Sequence, residues 1–481
     1  MTEPRRRRVR GGMGGAFAPV SASSLGAFRA LFGGVLVLLV VRFFAYGWIE
    51  RFYVTPRFYF AYWGFEWLHP LPEAGMWAVF AAMGALALAV TLGWRSRASL
   101  AGFGVLFTYV ELLDRTPYLN HYYLVWLLAW LLAAMPVDRA LSLRRWWRAR
   151  RGASLEPAVV PACTVWALRA QLALVYFFAG VAKLDPDWLF RAEPLRTWLA
   201  VHADAPVVGG LLATAGAAYA LSWAGAAFDL LVGPALLWRR TRALAYAAVV
   251  VFHCATAWLF PIGIFPLLMV VVTTIFFEPT WPERVLAWTR ARLGRRERRA
   301  RRGPPRTPRE PGVAPPLSIA GRTLIAVALG GYFAVQVLVP LRYTLYPGRV
   351  LWTEQGFRFA WQVMRMEKTG SVTFRVVSPS GAVRVVYPRD ELTTFQRRQM
   401  STQPDMILSY AHHLAREAGT GTAVYADAFA SLNGRPTQRL VDPTIDLARQ
   451  SEGFRPKGWI VPLATTPAAR AERGGLASAQ P

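Results

Sequence analysis

The residue best suited to chemistry is Lys183, which lies near the end of a long apolar stretch, residues 160–190. The chain has only three lysines, Lys183, Lys368 and Lys457, and takes nearly all its other positive charge from arginine. Apolar surroundings favour the neutral form of lysine, whereas arginine keeps its proton. We therefore interpret Lys183 as a proton acceptor.

Two other polar residues of this stretch are spaced so that they share a helix face with Lys183. Arg169, Tyr176 and Lys183 follow one another at intervals of seven residues. A polar stripe on an apolar helix is expected to face the interior of a helix bundle. A second interpretation is equally open at this stage: Lys183 extends from the helix end to the membrane interface and pairs with Asp185 or Asp187.

Two histidines occupy apolar segments elsewhere. Asn120 and His121 begin one such segment on the same predicted membrane side as Lys183, where both could stabilise an oxyanion. Interfacial capping is the alternative for this pair. His253 lies in the middle of another apolar segment, where an imidazole is costly without a partner. Structural and functional roles are both open for His253. No acidic cluster accompanies the histidines, so we expect no metal site.

The last third of the chain contributes a different set of candidates. A cluster of aromatic residues could form a groove for a peptide or an apolar cofactor, although an interfacial aromatic belt explains them too. Three polar residues surround a predicted turn and could clamp a carboxylate, unless they are ordinary surface residues. The aromatic set is Trp352, Phe357, Phe359 and Trp361, and the polar set is Arg435, Gln438 and Arg439.

The elements that position these residues follow from composition. The 481 residues are 54% hydrophobic with a net charge of +27, which at first suggests nucleic-acid binding. However, the arginine clusters flank long apolar runs, which is typical of the cytoplasmic loops of membrane proteins. We therefore predict a multi-pass protein of the cell membrane that contacts anionic lipid and binds no nucleic acid. The two cysteines, Cys163 and Cys254, are too few for a metal framework.

The apolar runs predict about nine transmembrane helices, with the N-terminus cytoplasmic. A polar region follows, in which a hairpin with a turn at Ser378–Gly381 and two strands joined at Asn433-Gly434 are predicted. The fold class is thus an α-helical membrane protein with an extracytoplasmic α+β domain. The predicted divisions are a disordered N-terminus (1–24), a transmembrane domain (25–283), a basic Pro-rich cytoplasmic linker (284–316), a last transmembrane helix (317–342), an extracytoplasmic substrate-binding domain (343–463) and a disordered tail (464–481).

With these residues in place, the sequence resembles the vitamin K-dependent gamma-carboxylases and their bacterial relatives, which share the horizontally transferred transmembrane domain (HTTM). The matching segments are NHYYL at 120–124, LRAQLALVYFFAGVAKLDPDW at 168–188, VFHCATAWLFPIGIF at 251–265, YTLYPGRVLWTEQGFRFAW at 343–361, DMILSYAHHL at 405–414 and LNGRPTQRLVDPTIDL at 432–447. The resemblance extends from the first apolar segment to about residue 463.

The resemblance implies a catalytic site and a set of reactants. Lys183 would deprotonate reduced vitamin K, of the menaquinol or phylloquinol type, and Asn120 and His121 would lie at the reacting oxygens. Oxidation of the quinol by O2 to its epoxide would generate a base strong enough to deprotonate glutamate, which then takes up CO2. We assign His253, Tyr176 and Arg169 to the quinone pocket. The aromatic set and the polar set would bind a Glu-containing peptide.

Two departures from the family pattern weaken the prediction of carboxylation more than that of quinol oxidation. Where animal enzymes carry a histidine shortly after the last tryptophan of the aromatic set, this chain has residues 364–368 (MRMEK). The cysteine pair that joins the two domains of animal enzymes is also missing. Two alternatives therefore stand beside the carboxylase: a quinol epoxidase that carboxylates nothing, and a non-enzymatic membrane transport or export partner.

Overall fold

The structure is a computed structural model that describes residues 13–294 and 318–464. At its N-terminal end, helix α1 (Met13–Ala16) leads into strand β1 (Pro19–Ser21). β1 pairs antiparallel with strand β2 (Val159–Pro161), and helix α2 begins at Ser23. The predicted disorder of residues 1–24 is thus incorrect for the residues around β1, because this short sheet holds them. Residues 1–12 lie outside the described part.

The remainder of the first domain is helical. After α2 (Ser23–Ala45) and one turn of π-helix (Glu50–Val54), the helices are α3 (Glu73–Leu92), α4 (Ser96–Leu113), α5 (Asn120–Ala134), α6 (Leu143–Arg150), α7 (Ala162–Ala182), α8 (Pro186–Arg191), α9 (Leu195–Ala200), α10 (Gly209–Leu212), α11 (Ala215–Leu237), α12 (Arg242–Leu259), α13 (Phe265–Thr273) and α14 (Trp281–Gly294). Helix α15 (Ile319–Leu341) lies at the start of the second described range, residues 318–464.

Six of these helices are long and apolar enough to cross a membrane, namely α2, α3, α7, α11, α12 and α15. The segment containing α13 and α14 would be a seventh if a bend of 98° is counted as one broken span. The predicted count of nine is not confirmed. The main reason is length: α5 has 15 residues, which at about 1.5 Å per residue spans only about 22 Å. The chain is nevertheless an integral membrane protein by its apolar helices.

The first part of the predicted linker also differs from the prediction, because it belongs to a helix. Helix α14 continues to Gly294, so the chain from residue 284 to residue 294 is helical rather than irregular. Glu283, in the first turn of α14, accepts hydrogen bonds of 2.6 Å from Ser21 and Ser23, which attaches this helix to the N-terminal segment. The rest of the predicted linker, residues 295–316, lies outside the described part, as does the predicted tail from residue 465.

The second domain is an α+β unit built on a four-stranded antiparallel sheet of order β4-β3-β5-β6. Its strands are β3 (Lys368–Val377), β4 (Val383–Val386), β5 (Ala423–Leu432) and β6 (Gln438–Arg439), and its helices are α16 (Val350–Thr353), α17 (Thr394–Met400) and α18 (Pro404–Ala418). Both predicted turns are confirmed, because β3 and β4 pair across residues 378–382 and β5 is followed by the turn at 433–434.

The two domains are joined by polar contacts at loops of the helical domain. Arg115, which follows α4, donates to the Asp405 carbonyl of α18 at 3.0 Å. Arg358 forms an ion pair of 2.5 Å with the Asp405 carboxylate. Burial would raise the pKa of Asp405, but the charges of Arg358 and Arg115 hold it well below its usual range. The second domain is therefore docked through charged groups that the helical domain supplies in part.

Candidate active site

Lys183 is the C-terminal cap of α7, and its side chain turns into the protein rather than out to the interface. Nζ lies 2.7 Å from Oδ2 of Asp229 on α11, and both side chains are buried, with 5% and 7% exposed. Two weaker contacts of 3.4 Å join Nζ to the carbonyls of Ala179 and Val363. The interpretation in which Lys183 extends to the interface and pairs with Asp185 or Asp187 is therefore incorrect.

Both of those aspartates have other partners. Asp185 accepts from Arg349 at 3.0 Å and faces Arg365 at 3.3 Å. Asp187 lies among arginines and an asparagine of the second domain. With these carboxylates occupied, the counter-charge of Lys183 comes from within the helix bundle. Such a site excludes water from the amine, which strengthens its electrostatic interactions.

The pairing depends on how closely α7 and α11 approach. Gly180, one turn before Lys183, lies against Leu230, the neighbour of Asp229. A Cβ atom added to Gly180 would come within 2.8 Å of the Leu230 side chain and 2.9 Å of its backbone nitrogen. A side chain at this position would thus push the helices apart. The glycine is what allows the carboxylate of Asp229 to reach the amine.

A cavity of about 120 Å³ lies beside the pair. This is comparable with the roughly 150 Å³ of an apolar cavity that accepts a benzene ring. Its polar lining includes Tyr176, Lys183, Asp229, His253 and Thr256, and residues 363–364 of the second domain form part of its wall. The remaining lining is largely apolar and includes Trp188, Leu199, Phe252, Phe260, Phe265 and Met269. An apolar ring with few polar atoms suits this cavity best.

Tyr176 and His253 are joined within the cavity wall. The Tyr176 hydroxyl lies 3.1 Å from Nε2 of His253. Nδ1 of His253 is buried and has no hydrogen-bond partner among the described residues. An unpaired buried nitrogen is costly, so one hydrogen bond to Nδ1 remains to be made by a group other than the described side chains. The predicted quinone-pocket residues Tyr176 and His253 therefore do come together with Lys183.

Arg169, the third residue assigned to that pocket, does not. It lies two turns from the N-terminal end of α7, whereas Lys183 caps the C-terminal end. Its guanidinium donates to the carbonyls of Ile275 at 3.0 Å and Phe277 at 2.7 Å. The seven-residue spacing correctly predicts a shared helix face, but one face of a long helix passes through different surroundings. Arg169 secures the chain after α13 instead.

Asn120 and His121 lie close to the site without lining the cavity. Nδ2 of Asn120 is 3.5 Å from the carbonyl of Gln362, the residue before Val363. The His121 ring packs against Phe265 with centroids 5.8 Å apart, and Phe265 in turn lies 5.5 Å from the His253 ring. The Phe265 ring thus lies between the two histidines. Asn120 and Lys183 meet adjacent peptide groups of the same segment.

The segment that contains these two carbonyls, residues 359–364, has an unusual backbone. Phe359, Trp361 and Met364 all have positive φ, at 63°, 54° and 52°. Non-glycine residues in this region are strained by about 1–3 kcal/mol each, and such strain is concentrated at functional sites. The segment that contacts both Asn120 and Lys183 is therefore held in place against its own backbone preference.

The aromatic set does not form one groove. Trp352 and Trp361 are each 1% exposed. Trp352 donates to the Val461 carbonyl at 2.7 Å, and Phe357 packs against the core of the second domain. Phe359 alone of the four lines a second, mostly apolar cavity, of about 510 Å³. The prediction of a shared peptide groove is incorrect because Trp352 is buried in the core of the second domain and Trp361 in the core of the helical domain.

The two arginines of the polar set bind carboxylates of their own chain, and the glutamine binds a backbone amide. Arg435 binds the buried Asp187 through two hydrogen bonds of 2.7 and 2.5 Å. Arg439 pairs with Asp427 at 2.8 Å, and Gln438 accepts from the Ala464 amide. These residues are therefore not free to bind a substrate glutamate. Burial would raise the pKa of Asp187, but the hydrogen bond from Arg435 and the charge of Arg349 hold it below its usual value.

Comparison with known families agrees with this architecture. Residues 17–281 match the HTTM domain, and residues 321–466 match the lumenal domain of vitamin K-dependent gamma-carboxylase. The chain belongs to the vitamin K-dependent gamma-carboxylase family. The two matches cover both the helical and the α+β part. No solved structure matches the chain.

Two members of the site, Asp229 and Val363, are not among the residues predicted from the sequence. Asp229 is an acidic residue in the middle of an apolar helix, and such residues commonly mark functional sites, so a signal existed. Val363 contributes only a backbone carbonyl, which no side-chain pattern could indicate.

Proposed function

We propose that this gamma-carboxylase family member is a vitamin K-dependent glutamyl carboxylase. It would oxidise a reduced isoprenoid quinone to the epoxide with O2 and add CO2 to glutamate in a peptide. The observation that carries the proposal is the buried Lys183–Asp229 pair beside a ring-sized apolar cavity with the unpaired Nδ1 of His253. An apolar ring with two oxygens fits this combination of surfaces.

The reduced quinone and O2 supply the strong base, because no side chain near neutral pH is basic enough to deprotonate carbon next to a carboxylate. Lys183 has the smaller task of accepting a hydroxyl proton. With one proton shared between them, Lys183 and Asp229 carry no net charge, a state that apolar surroundings favour. Accepting a second proton gives the pair one positive charge opposite the oxyanion that forms.

The other residues orient the reactants. Tyr176 holds the His253 ring through Nε2, so that Nδ1 is left for the ligand's second oxygen. Phe265 separates the His253 side of the site from His121. His121 and Asn120 are then on the side from which a peptide of the second domain would approach. The apolar wall excludes water, which would otherwise consume a strong base.

We further propose that the second domain faces the extracytoplasmic side and the N-terminus the cytoplasm. The arginine clusters at 95–97, 144–151 and 239–242 support this orientation by the positive-inside rule. Isoprenoid quinone would reach the cavity from the bilayer, and the peptide from outside. Labelling of single introduced cysteines in intact cells would test the orientation.

Purified protein given reduced vitamin K, O2, labelled bicarbonate and a panel of Glu peptides tests the proposed activity. We expect vitamin K epoxide and acid-stable label in peptide. Absence of both products would exclude the enzyme and favour a transport or export partner. Activity without added metal is expected, since the mechanism requires none.

A quinol epoxidase without carboxylation is the second candidate. The observation that favours it is the internal use of Arg435, Gln438 and Arg439, which leaves the predicted glutamate clamp occupied. The same assay separates the two candidates, because this enzyme would form epoxide at an unchanged rate whether or not Glu peptide is present, and would label nothing.

A further inference from the structure

One edge of the sheet in the second domain is only half covered. Strand β3 pairs with β5 along its whole length, residues 368–377. On the other side, β4 pairs only with residues 374–377 of β3. Within the described chain, no strand pairs with residues 368–373 on that side. Thr369, Gly370 and Ser371 are exposed.

The pairing register of β3 identifies which of its backbone N–H and carbonyl groups have no partner strand. Asn433 N–H donates to the Glu367 carbonyl, so the odd-numbered residues of β3 direct their backbone groups towards β5. Ser378 N–H donates to the Ala382 carbonyl, so the even-numbered residues direct theirs towards β4. Backbone groups alternate in this way along an antiparallel strand. Lys368, Gly370 and Val372 therefore present N–H and carbonyl groups to the uncovered edge.

The chain leaves this edge because β4 is followed by Pro388, which has no N–H to donate. From there it turns into α17 and encloses a cleft of about 400 Å³ beside residues 368–372. The cleft is therefore bounded by an unpaired strand on one side and by α17 on the other. This geometry has room for one more extended segment.

The cleft is basic. Its lining includes Arg389, Arg397 and Arg398 and no carboxylate. Arg389 faces the neighbouring Asp390 at 3.7 Å, which offsets part of its charge. Neither Arg397 nor Arg398 forms an ion pair with a carboxylate of the described chain. These two side chains give the cleft a preference for an acidic ligand.

We propose that this cleft binds an extended acidic peptide segment, which adds to the sheet as a strand beside residues 368–372. Main-chain hydrogen bonds to the edge would supply affinity, and Arg397 and Arg398 would select acidic side chains. The proposal rests on the proposed function only in taking a peptide as the occupant. The ligand class is an extended segment with acidic residues at alternate positions.

The position of the cleft suits a substrate-holding site. Val363, whose carbonyl contacts Lys183, lies five residues before Lys368 along the chain. Five residues span at most about 18 Å, so the near end of the cleft lies within that distance of the Val363 backbone. A peptide bound there could present a further glutamate, several residues along its own chain, to the proposed active site.

The test measures binding of a fluorescent ten-residue peptide, alternating glutamate and threonine, to the full-length protein in detergent without quinone, so that no turnover occurs. Two N-methylated versions block alternate backbone N–H groups in the two possible registers. An added strand uses only one register at the edge, so one version should bind at least about tenfold more weakly while the other binds nearly normally. Equal binding by both N-methylated versions and the parent peptide would overturn the proposal.

The double variant Arg397→Gln/Arg398→Gln tests the selection for acidic side chains. It should weaken binding of the acidic peptide at least about tenfold and reduce the salt dependence of that binding. Arg416→Gln, at an exposed arginine of α18 outside the cleft, is the matched control and should change nothing. A lysine-containing version of the peptide that binds equally well would refute the acidic preference. If the carboxylase assay labels Glu peptides but the acidic peptide does not bind to the cleft, the proposed cleft site alone is overturned. If the acidic peptide binds but no Glu peptide is labelled, the cleft site stands and the proposed carboxylation is overturned.

Discussion

Replacing Lys183 with methionine tests the proposed base, provided that its structural role is separated from its chemical one. Asp229 has no hydrogen-bond donor other than Lys183 within the described chain, and its side chain is 7% exposed. Lys183→Met therefore leaves a buried carboxylate without a partner. Breaking such a pair from one side costs about 3–5 kcal/mol of folding free energy. Loss of activity in this variant alone would be ambiguous.

The double variant Lys183→Met/Asp229→Leu removes that ambiguity. Replacing both members of a buried ion pair with apolar residues of similar volume is commonly neutral or stabilising. We expect the double variant to regain wild-type thermal stability in detergent. Epoxide formation should stay lower by about 10²–10⁴-fold, the usual contribution of a positioned base.

The measurements are the melting temperature and the rate of epoxide formation from reduced vitamin K. Small amines added to Lys183→Ala, which truncates the side chain and leaves an empty place in the cavity, should restore part of the rate. Lys457→Met, at a lysine of the second domain, serves as the control and should keep full activity. Recovery of activity together with stability in the double variant would refute the assignment of Lys183 as the base.

Three further outcomes follow from the geometry. His121→Ala should reduce epoxide turnover more than quinone affinity, as measured by rate against binding titration, because His121 lies outside the cavity lining. Gly180→Val should abolish epoxidation while leaving the protein in the membrane fraction, because a side chain there separates α7 from α11. Arg435→Gln should flatten the acid limb of the stability–pH curve. The pKa of Asp187 is lower in the folded state, so its stabilisation is present above the ordinary aspartate pKa of about 4 and is lost as pH falls further.

Features that depend on local sequence could be predicted. Three such features depend on spacing or turn chemistry within about 20 residues. They are the position of Lys183 at the end of an apolar segment, the position of Tyr176 two helical turns earlier and the hairpin around Ser378. Tyr176 and His253 both lie in apolar segments, where an unpaired polar group is costly, so the sequence indicates that each needs a partner. It does not indicate that they are partners of each other.

Features that depend on distant contacts could not be predicted. Arg435 has the chemistry of a carboxylate clamp, and it does clamp a carboxylate, but that carboxylate is Asp187 of its own chain, 248 residues earlier. Lys183 and Asp229 are 46 residues apart on different helices. Residue type sets which partners a side chain accepts, while the packing of helices and domains decides which partner is present. Substrate-binding roles are therefore the least secure prediction from sequence.

The contacts of Lys183 also bear on how the two domains cooperate. A protonated lysine has three N–H donors, and here they meet Asp229 at 2.7 Å and the carbonyls of Ala179 and Val363 at 3.4 Å. This arrangement satisfies the charged amine and leaves no lone pair for a substrate proton. A neutral amine has only two N–H groups, so one of these three contacts must be given up if Lys183 acts as the proposed base. Both carbonyl contacts are 3.4 Å long, but Val363 belongs to a strained segment, which makes its carbonyl the easier of the two to release. Because that segment continues into β3, a peptide bound along β3 would act on the same backbone that holds Lys183 in its resting state.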